Sequence, residues 1–154
     1  MTARQYFDGV RRASEEVERC QRIIGELSDG ETPVQSGGGP RGKGETSDPV
    51  WAAFSARERA LADATARMDA AQELIGEALA LIEGLRRVYC RKADVLELRY
   101  IDLLPWAAVA DRLGVTERTV YLWRDEVLRF VDSTPRVYIL GLRCGDGRGS
   151  GAHC

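Results

Sequence analysis

The sequence is poor in the residues on which most catalytic and metal sites depend. Its 154 residues contain one histidine, two methionines and four cysteines, and no two cysteines form a CxxC pair. Cysteines scattered in this way predict neither a disulfide framework nor a structural zinc site. Cys144, His153 and Cys154 lack the set spacing of metal ligands, so we expect no metal and no other cofactor. Nothing in the sequence pairs a nucleophile with a base, and we therefore expect no enzyme.

Long apolar runs are also missing. No stretch of about 18 apolar residues occurs, so the sequence predicts no membrane span. Residues 1–30 are polar and charged throughout, which is unlike a secretory signal peptide. The expected location is the cytoplasm.

An excess of positive charge is missing as well. The formal net charge is −2, and residues 91–136 carry 8 basic and 8 acidic side chains. Much of the affinity of proteins for DNA comes from neutralising phosphates, so a single copy of this segment should bind nucleic acid weakly. Binding would then need an oligomer, or a partner that holds the chain on DNA.

The sequence does contain two long segments with heptad periodicity. Residues 1–28 predict a helix whose apolar seam is Tyr6, Val10, Ala13, Val17, Cys20, Ile24 and Leu27. Residues 49–90 predict a longer helix, opened by Asp48 as N-cap and Pro49 as first residue. Its seam repeats every seven residues at Phe54, Leu61, Met68, Ile75, Ile82 and Tyr89, with Ala64, Ala71, Ala78 and Leu85 between them.

Residues 29–48, between these helices, are rich in glycine, serine, proline and threonine and predict a disordered linker. A linker of this length lets the first helix fold back on the second as an antiparallel coiled-coil hairpin. The second helix is the longer one, so part of its seam stays uncovered. We expect a second protomer to pack there, which makes the protein a homo-oligomer, a dimer in the simplest case.

Residues 91–135 have the pattern of a helix-turn-helix domain. Gly114 suits the turn, and Ala110 is small where the second helix crowds the first. The positions that must be buried fall on Val109, Leu113, Val115, Val120 and Trp123. In a helix-turn-helix the helix after the turn enters the DNA major groove, whereas the alternative is a tight helix pair with no role in DNA binding. Residues 136–154 predict a flexible tail, and the predicted fold class is all-α.

The segment VLELRYIDLLPWAAVADRLGVTERTVYLW resembles region 4 of sigma-70-type factors, the helix-turn-helix that reads the −35 promoter element. The wider layout resembles a family of small phage-encoded proteins of unknown function. The shared features are the MTA start, a coiled-coil helix, a Gly/Ser-rich break, a second long helix, LELRY (96–100) and Trp106. This resemblance implies a phage or prophage transcription regulator in a bacterial host cell, with possible contact to RNA polymerase.

The sequence departs from that pattern at the positions that read DNA. Glu117, Arg118 and Tyr121 stand where −35 readers carry an Arg-Glu pair and a further arginine. Ala107 and Ala108 replace the paired acidic residues that usually follow the tryptophan in the phage family. These departures predict a target other than the standard −35 hexamer.

The predicted DNA-binding residues lie around the second helix of the motif: Arg112, Thr116, Glu117, Arg118, Tyr121 and Arg124. Arg118 can bond guanine O6 and N7 together, and Glu117 can accept from cytosine. Tyr121 suits a thymine methyl group or a phosphate. Thr116, Arg112 and Arg124 suit phosphates, which position the helix without reading sequence. Alternatively, Arg112 and Arg124 do not bind DNA, and are either hydrated at the surface or paired with Asp111 and Asp125.

Three functions remain open on the sequence alone. The favoured one is a sequence-specific transcription regulator that binds double-stranded DNA. The second is a DNA-packaging adaptor of the small-terminase type, which also combines a helix-turn-helix with coiled-coil oligomerisation. The third is a helical protein-interaction module, for which the neutral charge of residues 91–136 is the best argument.

Overall fold

The computed structural model describes residues 1–30 and 48–143, and every regular element among them is helical. The helices are α1 (Ala3–Asp29), α2 (Pro49–Tyr89), α3 (Asp94–Leu96), α4 (Trp106–Leu113), α5 (Glu117–Ser133) and α6 (Arg136–Arg143). A 3₁₀ turn, Cys90–Lys92, joins α2 to α3, and a π-helical turn, Glu97–Ile101, continues α3. The predicted all-α class is confirmed. None of the described helices is both long and apolar enough to cross a membrane.

Helices α1 and α2 form the predicted antiparallel hairpin. Near the start of α2, the Arg57 guanidinium donates to the backbone oxygens of Leu27 and Gly30 at the end of α1. Midway, Arg67 pairs with Glu16, with 3.1 Å between Nη1 and Oε1. The end of α2 packs against the beginning of α1. Of the linker predicted at 29–48, Asp29 belongs to α1 and residues 31–47 lie outside the described residues.

Local sequence explains where both helices begin. Thr2 caps α1 by accepting a hydrogen bond from the Gln5 backbone N–H, and the Gln5 side chain accepts from the Thr2 N–H in return. Asp48 caps α2 by accepting from the Val50 N–H at 3.0 Å, and Pro49 occupies the first helical position. The N-cap predicted from the sequence is thus the one used.

The heptad seam of α1 is buried or half-buried at all seven predicted positions. On α2 the small seam residues Ala64, Ala71 and Ala78 are buried, which lets the two helix backbones approach closely. Burial along α2 is uneven, because the helix extends beyond the end of α1. Near its start, Val50, Trp51 and Phe54 are exposed, with the Trp51 and Phe54 rings stacked 5.7 Å apart.

The hairpin and the α3–α5 unit share one hydrophobic core, which the sequence did not predict. The Phe7 ring of α1 lies 5.5 Å from that of Tyr100, and the Tyr89 ring of α2 lies 5.2 Å from that of Phe130 in α5. At the start of α1, the Ala3 N–H donates to Asp132 of α5. Fifteen buried residues from both parts belong to this core, so the C-terminal unit is built onto the base of the hairpin.

An ion-pair cluster fastens the same junction. The Arg86 guanidinium of α2 bonds Glu83 on its own helix, Asp94 at 2.8 Å and Glu97 in the following turn. Burial alone would lower the pKa of Arg86. The hydrogen bonds to the three carboxylates outweigh burial, so the pKa lies above its ordinary value. Because its donors are bound to carboxylates of α2, α3 and the π-helical turn, Arg86 ties the end of α2 to the segment that follows it.

Residues 136–143 differ from the prediction of a flexible tail, because they form α6. Ile139 is fully buried, and its backbone oxygen would lie 2.1 Å from a Cβ at Gly84. Helix α6 therefore packs on a glycine of α2 through Ile139, while Val137 and Tyr138 of the same helix stay exposed. Residues 144–154 lie outside the described part of the chain.

Candidate nucleic-acid interface

The turn between α4 and α5 has the geometry that the sequence predicted. Gly114 adopts a left-handed conformation with φ +65°, and its N–H donates to the oxygens of Ala110 and Asp111 at the end of α4. The Val115 N–H also donates to Ala110 O, at 3.0 Å. These are the bonds of a helix ended by a glycine C-cap. A Cβ at Gly114 would meet no atom within 4 Å, so the position favours glycine because of its φ and not for lack of space.

A separate small core lies beneath this turn. Val95, Val109, Ala110, Leu113 and Val120 are buried together, and Val115 and Trp123 pack half-buried against them. All six positions predicted from the motif spacing therefore contribute to the crossing of α4 and α5. Arg91, at the end of the hairpin, donates to Leu113 O at 2.8 Å and satisfies a carbonyl at the end of α4.

Helix α5 begins at the predicted cap. The Thr116 hydroxyl accepts from the Thr119 N–H at 3.3 Å and lies 3.0 Å from the Thr119 hydroxyl. Glu117 and Arg118 follow directly, and both side chains are exposed. Neither forms an ion pair or a side-chain hydrogen bond with another residue in the described ranges. The first turn of α5 therefore presents one acidic and one basic side chain that are free to bind an outside partner.

One turn further along α5, Tyr121 and Arg124 pack onto Trp106, the first residue of α4. The Tyr121 and Trp106 rings are 5.0 Å apart, and the Arg124 guanidinium lies 5.2 Å from the centroid of each ring. Arg124 also bonds Asp125 through Nε and Nη2, and its side chain is only 15 % exposed. Arg124 is thus held in place by its neighbours, as in the alternative interpretation of the sequence, while Tyr121 keeps an edge exposed.

Arg112 lies apart from this group. It is exposed in the last turn of α4, beside a polar cleft that Arg86 and Arg91 also line. The five other predicted residues belong to α5 or to its cap. Within the described ranges, no group of three or more histidine, cysteine, aspartate or glutamate side chains could hold a metal ion.

The balance of unpaired charges in residues 91–136 differs from the sequence count, because two carboxylates of this segment pair with Arg86, which lies outside it. Asp94 and Glu97 are both paired with Arg86, and Glu126 is paired with Lys92 at 2.8 Å. Sequence counting misses this, because the partner of two carboxylates comes from the hairpin. The unpaired arginines of the segment, such as Arg118, therefore meet fewer free carboxylates than the neutral sum indicates.

A comparison with protein families agrees with this geometry. The model of a homeodomain-like domain, a helix-turn-helix family, matches residues 87–129. The chain carries a homeodomain-like helix-turn-helix domain. The match begins directly after Arg86, in the last turn of α2, and ends within α5, so it includes Asp94 and Glu97 but not the arginine that they bind. No curated protein and no solved structure matches the chain. The helix-turn-helix domain indicates DNA as a partner.

Proposed function

We propose that the protein is a sequence-specific DNA-binding transcription regulator of phage or prophage origin. The helix-turn-helix domain supports DNA as the target, and the exposed start of α5 is the observation that carries the proposal. Arg118 is exposed and unpaired among the described residues, directly after the Thr116 cap. In this motif, residues near the start of the second helix are those that reach base edges in the major groove.

Arg118 and Glu117 are the proposed readers of sequence. The planar guanidinium of Arg118 bonds guanine O6 and N7 together, and the Glu117 carboxylate accepts from cytosine N4. The exposed edge of Tyr121 makes a thymine methyl or phosphate contact on the same face. Glu117 and Arg118 are neighbours of opposite charge. They therefore favour a strand that contains both a guanine and a cytosine over a run of only guanines or only cytosines.

Arg112, Thr116 and Arg124 are the proposed phosphate contacts. Arg112 is exposed, and Thr116 is exposed beside the start of α5. Arg124 is held on Trp106 with part of its donor set bound to Asp125, so it would offer the remaining N–H groups from a fixed position. Phosphate contacts of this kind set register and carry no sequence information.

The role in transcription is supported by the resemblance of residues 95–123 to region 4 of sigma-70-type factors. The same resemblance supports a contact with bacterial RNA polymerase. The departures at Glu117, Arg118 and Tyr121 fit a regulator with its own operator.

We also propose that the protein works as a dimer. The start of α2 extends beyond α1 and exposes Val50, Trp51 and Phe54, and Phe54 continues the heptad seam of α2. A second copy of the chain has the same unpartnered seam and so offers a matching one. Two domains would also double the phosphate contacts of a segment whose basic and acidic side chains are equal in number. Sedimentation of the protein and of Phe54→Ser tests this, with a shift of the variant to monomer as the expected result.

The deciding experiment is selection of bound duplexes from a random pool at low and moderate salt. We expect an enriched motif, and a palindromic one if the dimer binds. In Arg118→Ala the preference at one position should relax, whereas Arg124→Ala should weaken binding to all duplexes about equally. Arg129→Ala, an exposed arginine later on the same helix, is the matched control and should change neither.

Three outcomes would contradict the proposal. Equal loss of discrimination in Arg118→Ala and Arg124→Ala would remove the assigned roles. Salt-sensitive retention without a motif would favour a DNA-packaging adaptor. No retention even at low salt would favour a protein-interaction module.

A further inference from the structure

Four arginines from three elements line a small cavity between the hairpin and the helix-turn-helix domain. Arg4 and Arg11 come from α1, Arg99 from the π-helical turn and Arg124 from α5. The cavity has a volume of about 170 Å³ and is also lined by Asp8, Tyr100 and Trp106. We call these four residues the arginine cluster. The cavity has several times the volume of about 30 Å³ that one water molecule occupies in the liquid.

The two arginines from α1 keep most of their donors unused. Arg4 is exposed, and no residue in the described ranges forms an ion pair or a side-chain hydrogen bond with it. The Arg11 Nε lies 3.7 Å from Glu15 Oε1, too far for a hydrogen bond, and is buried with no hydrogen-bond partner among the described residues. Because Arg11 lines the cavity and has no hydrogen bond to a described residue, an acceptor that enters the cavity can bind its free donors.

The two arginines from the helix-turn-helix domain are held in place on Trp106. The Arg99 guanidinium lies 4.8 Å from the ring centroid and donates to Leu104 O at 2.9 Å. Arg124 lies 5.2 Å from the same ring and bonds Asp125. Each guanidinium has five N–H donors, so both retain free donors after these bonds. Fixed guanidinium planes lose little entropy when they bind a phosphate.

Acidic side chains offset only part of this charge. Asp8 is the one carboxylate among the residues that line the cavity. Asp125 is bonded to Arg124, and Glu15 is the neighbour of Arg11. The lining itself therefore combines four guanidinium groups with one carboxylate, which is the composition of a site for an anion.

We propose that the arginine cluster binds a phosphodiester group of the DNA backbone beside the bases that α5 reads. This inference rests on the proposed function, because it needs α5 to lie in the major groove. Trp106 links the two sites, since its ring contacts Tyr121 on the outer face of α5 and also lines the cavity.

The start of α4 supports the choice of a backbone phosphate. Helix α4 begins at Trp106, and Pro105 gives it no side-chain cap. Its first N–H groups therefore have no partner within the helix, and a helix start of this kind attracts phosphate. In a helix-turn-helix the first helix of the motif crosses the DNA backbone, which brings this end of α4 and the arginine cluster to the same strand. The hairpin thereby becomes part of the DNA interface through α1.

The test compares Arg4→Gln, Arg11→Gln and the double variant with wild type on the selected duplex and on unrelated duplexes. We expect each single variant to bind both kinds about 3- to 10-fold more weakly, and to lower the slope of log affinity against log salt by about 1. Arg22→Gln changes the same charge on an exposed part of α1 far from the cavity, and should leave affinity and slope unchanged. Asp8→Asn removes the opposing carboxylate and should strengthen binding to all duplexes.

Phosphate ethylation interference locates the contact. With wild type we expect one interfering phosphate outside the bases read by α5, and this position should stop interfering in Arg4→Gln/Arg11→Gln. Circular dichroism melting of each variant shows whether it is folded, and Arg4→Lys should recover part of the affinity because it restores the charge.

Two outcomes separate this inference from the proposed function. Sequence-specific binding with unchanged affinity and salt slope in the double variant would overturn the arginine cluster and leave the function intact. Loss of stabilisation by inorganic phosphate in the double variant, with DNA affinity unchanged, would identify a site for free phosphate and also overturn the inference. No DNA binding by wild type would overturn the proposed function, and this inference with it.

Discussion

At the scale of single residues, two glycines have different reasons for being glycine. Gly114 needs its φ of +65° for the turn before α5, and open space surrounds its Cβ position. Gly84 has no positive φ, but the Ile139 backbone occupies the place of its Cβ. Substitution at the first position should strain the backbone, whereas substitution at the second should displace a helix.

Gly114→Ala should destabilise the protein by about 1–2 kcal/mol, the usual cost of a left-handed conformation for a residue with a Cβ. Gly114→Asn should cost less, because asparagine tolerates this conformation better. Urea unfolding measures both. Gly76→Ala is the control, since Gly76 lies in α2 with nothing near its Cβ position, and it should stabilise by about 0.5–1 kcal/mol. Equal stability of wild type and Gly114→Ala would show that the turn does not need the left-handed residue.

The turn itself could be predicted because its signal is local. Gly114, Ala110 and the buried positions around them lie within 15 residues of one another, so the spacing of apolar residues reports their geometry directly. The arginine cluster could not be predicted. Arg4 and Arg124 are 120 residues apart in sequence, and only the packing of α1 against the helix-turn-helix domain brings them to one cavity.

At the scale of helices, α6 shows why a short amphipathic segment is missed. Residues 136–143 are too few to repeat an apolar pattern at helical spacing, so the sequence predicts a tail there although Thr134 and Pro135 could start a helix. Burial of Ile139 against α2 makes the segment helical, and tertiary contact of this kind often decides the structure of short helices. The long heptads of α1 and α2 were predictable because each repeats its signal several times.

Gly84→Ala should release α6 from α2. The added methyl group would lie 2.1 Å from Ile139 O, and loss of this contact would expose a fully buried isoleucine at a cost of about 1.5–3 kcal/mol. Hydrogen exchange of residues 136–143 should become fast while exchange in α4 stays slow. Gly76→Ala again supplies the control on the same helix. Continued protection of α6 in Gly84→Ala would contradict the close packing described here.

At the scale of the whole molecule, we expect the hairpin and the helix-turn-helix domain to unfold as one cooperative unit. Phe7, Ile82 and Leu85 of the hairpin share a core with Tyr100 and Val127, and the Arg86 ion pairs cross the same junction. The sequence predicted two parts in succession, because periodicity within each part contains no information about the angle between them. A single unfolding transition is the expected result of a shared core.

Tyr100 provides a pH test of that unit. Burial raises the pKa of Tyr100 above its ordinary value of 10.0, against a lowering effect of Arg124. The folded state therefore holds the phenol proton more tightly than the unfolded state. Stability should be unaffected by this group below about pH 10 and should fall as pH rises from there through the pKa of the folded protein. Tyr6 contributes in the same direction, because burial raises its pKa too.

The measurement is urea unfolding between pH 8 and pH 12, followed by tryptophan fluorescence and by circular dichroism. Tyr100→Phe should lose stability less steeply above pH 10 than wild type, and Tyr138→Phe, at an exposed position, should follow wild type. Both signals should change together at every pH. Separate transitions for the two signals would show that the hairpin and the domain unfold independently.

The uneven length of the hairpin has a mechanical consequence. At about 1.5 Å per residue, α2 is roughly 60 Å long. The shared core packs one end of it directly against the helix-turn-helix domain, without a flexible joint. Whatever binds the Trp51 end is then held at a set distance and direction from the double helix. In a dimer joined there, the stiffness of the two α2 helices would determine the spacing between operator half-sites. Inserting half a helical turn of DNA between the half-sites would then twist or bend the duplex before it stretched the protein.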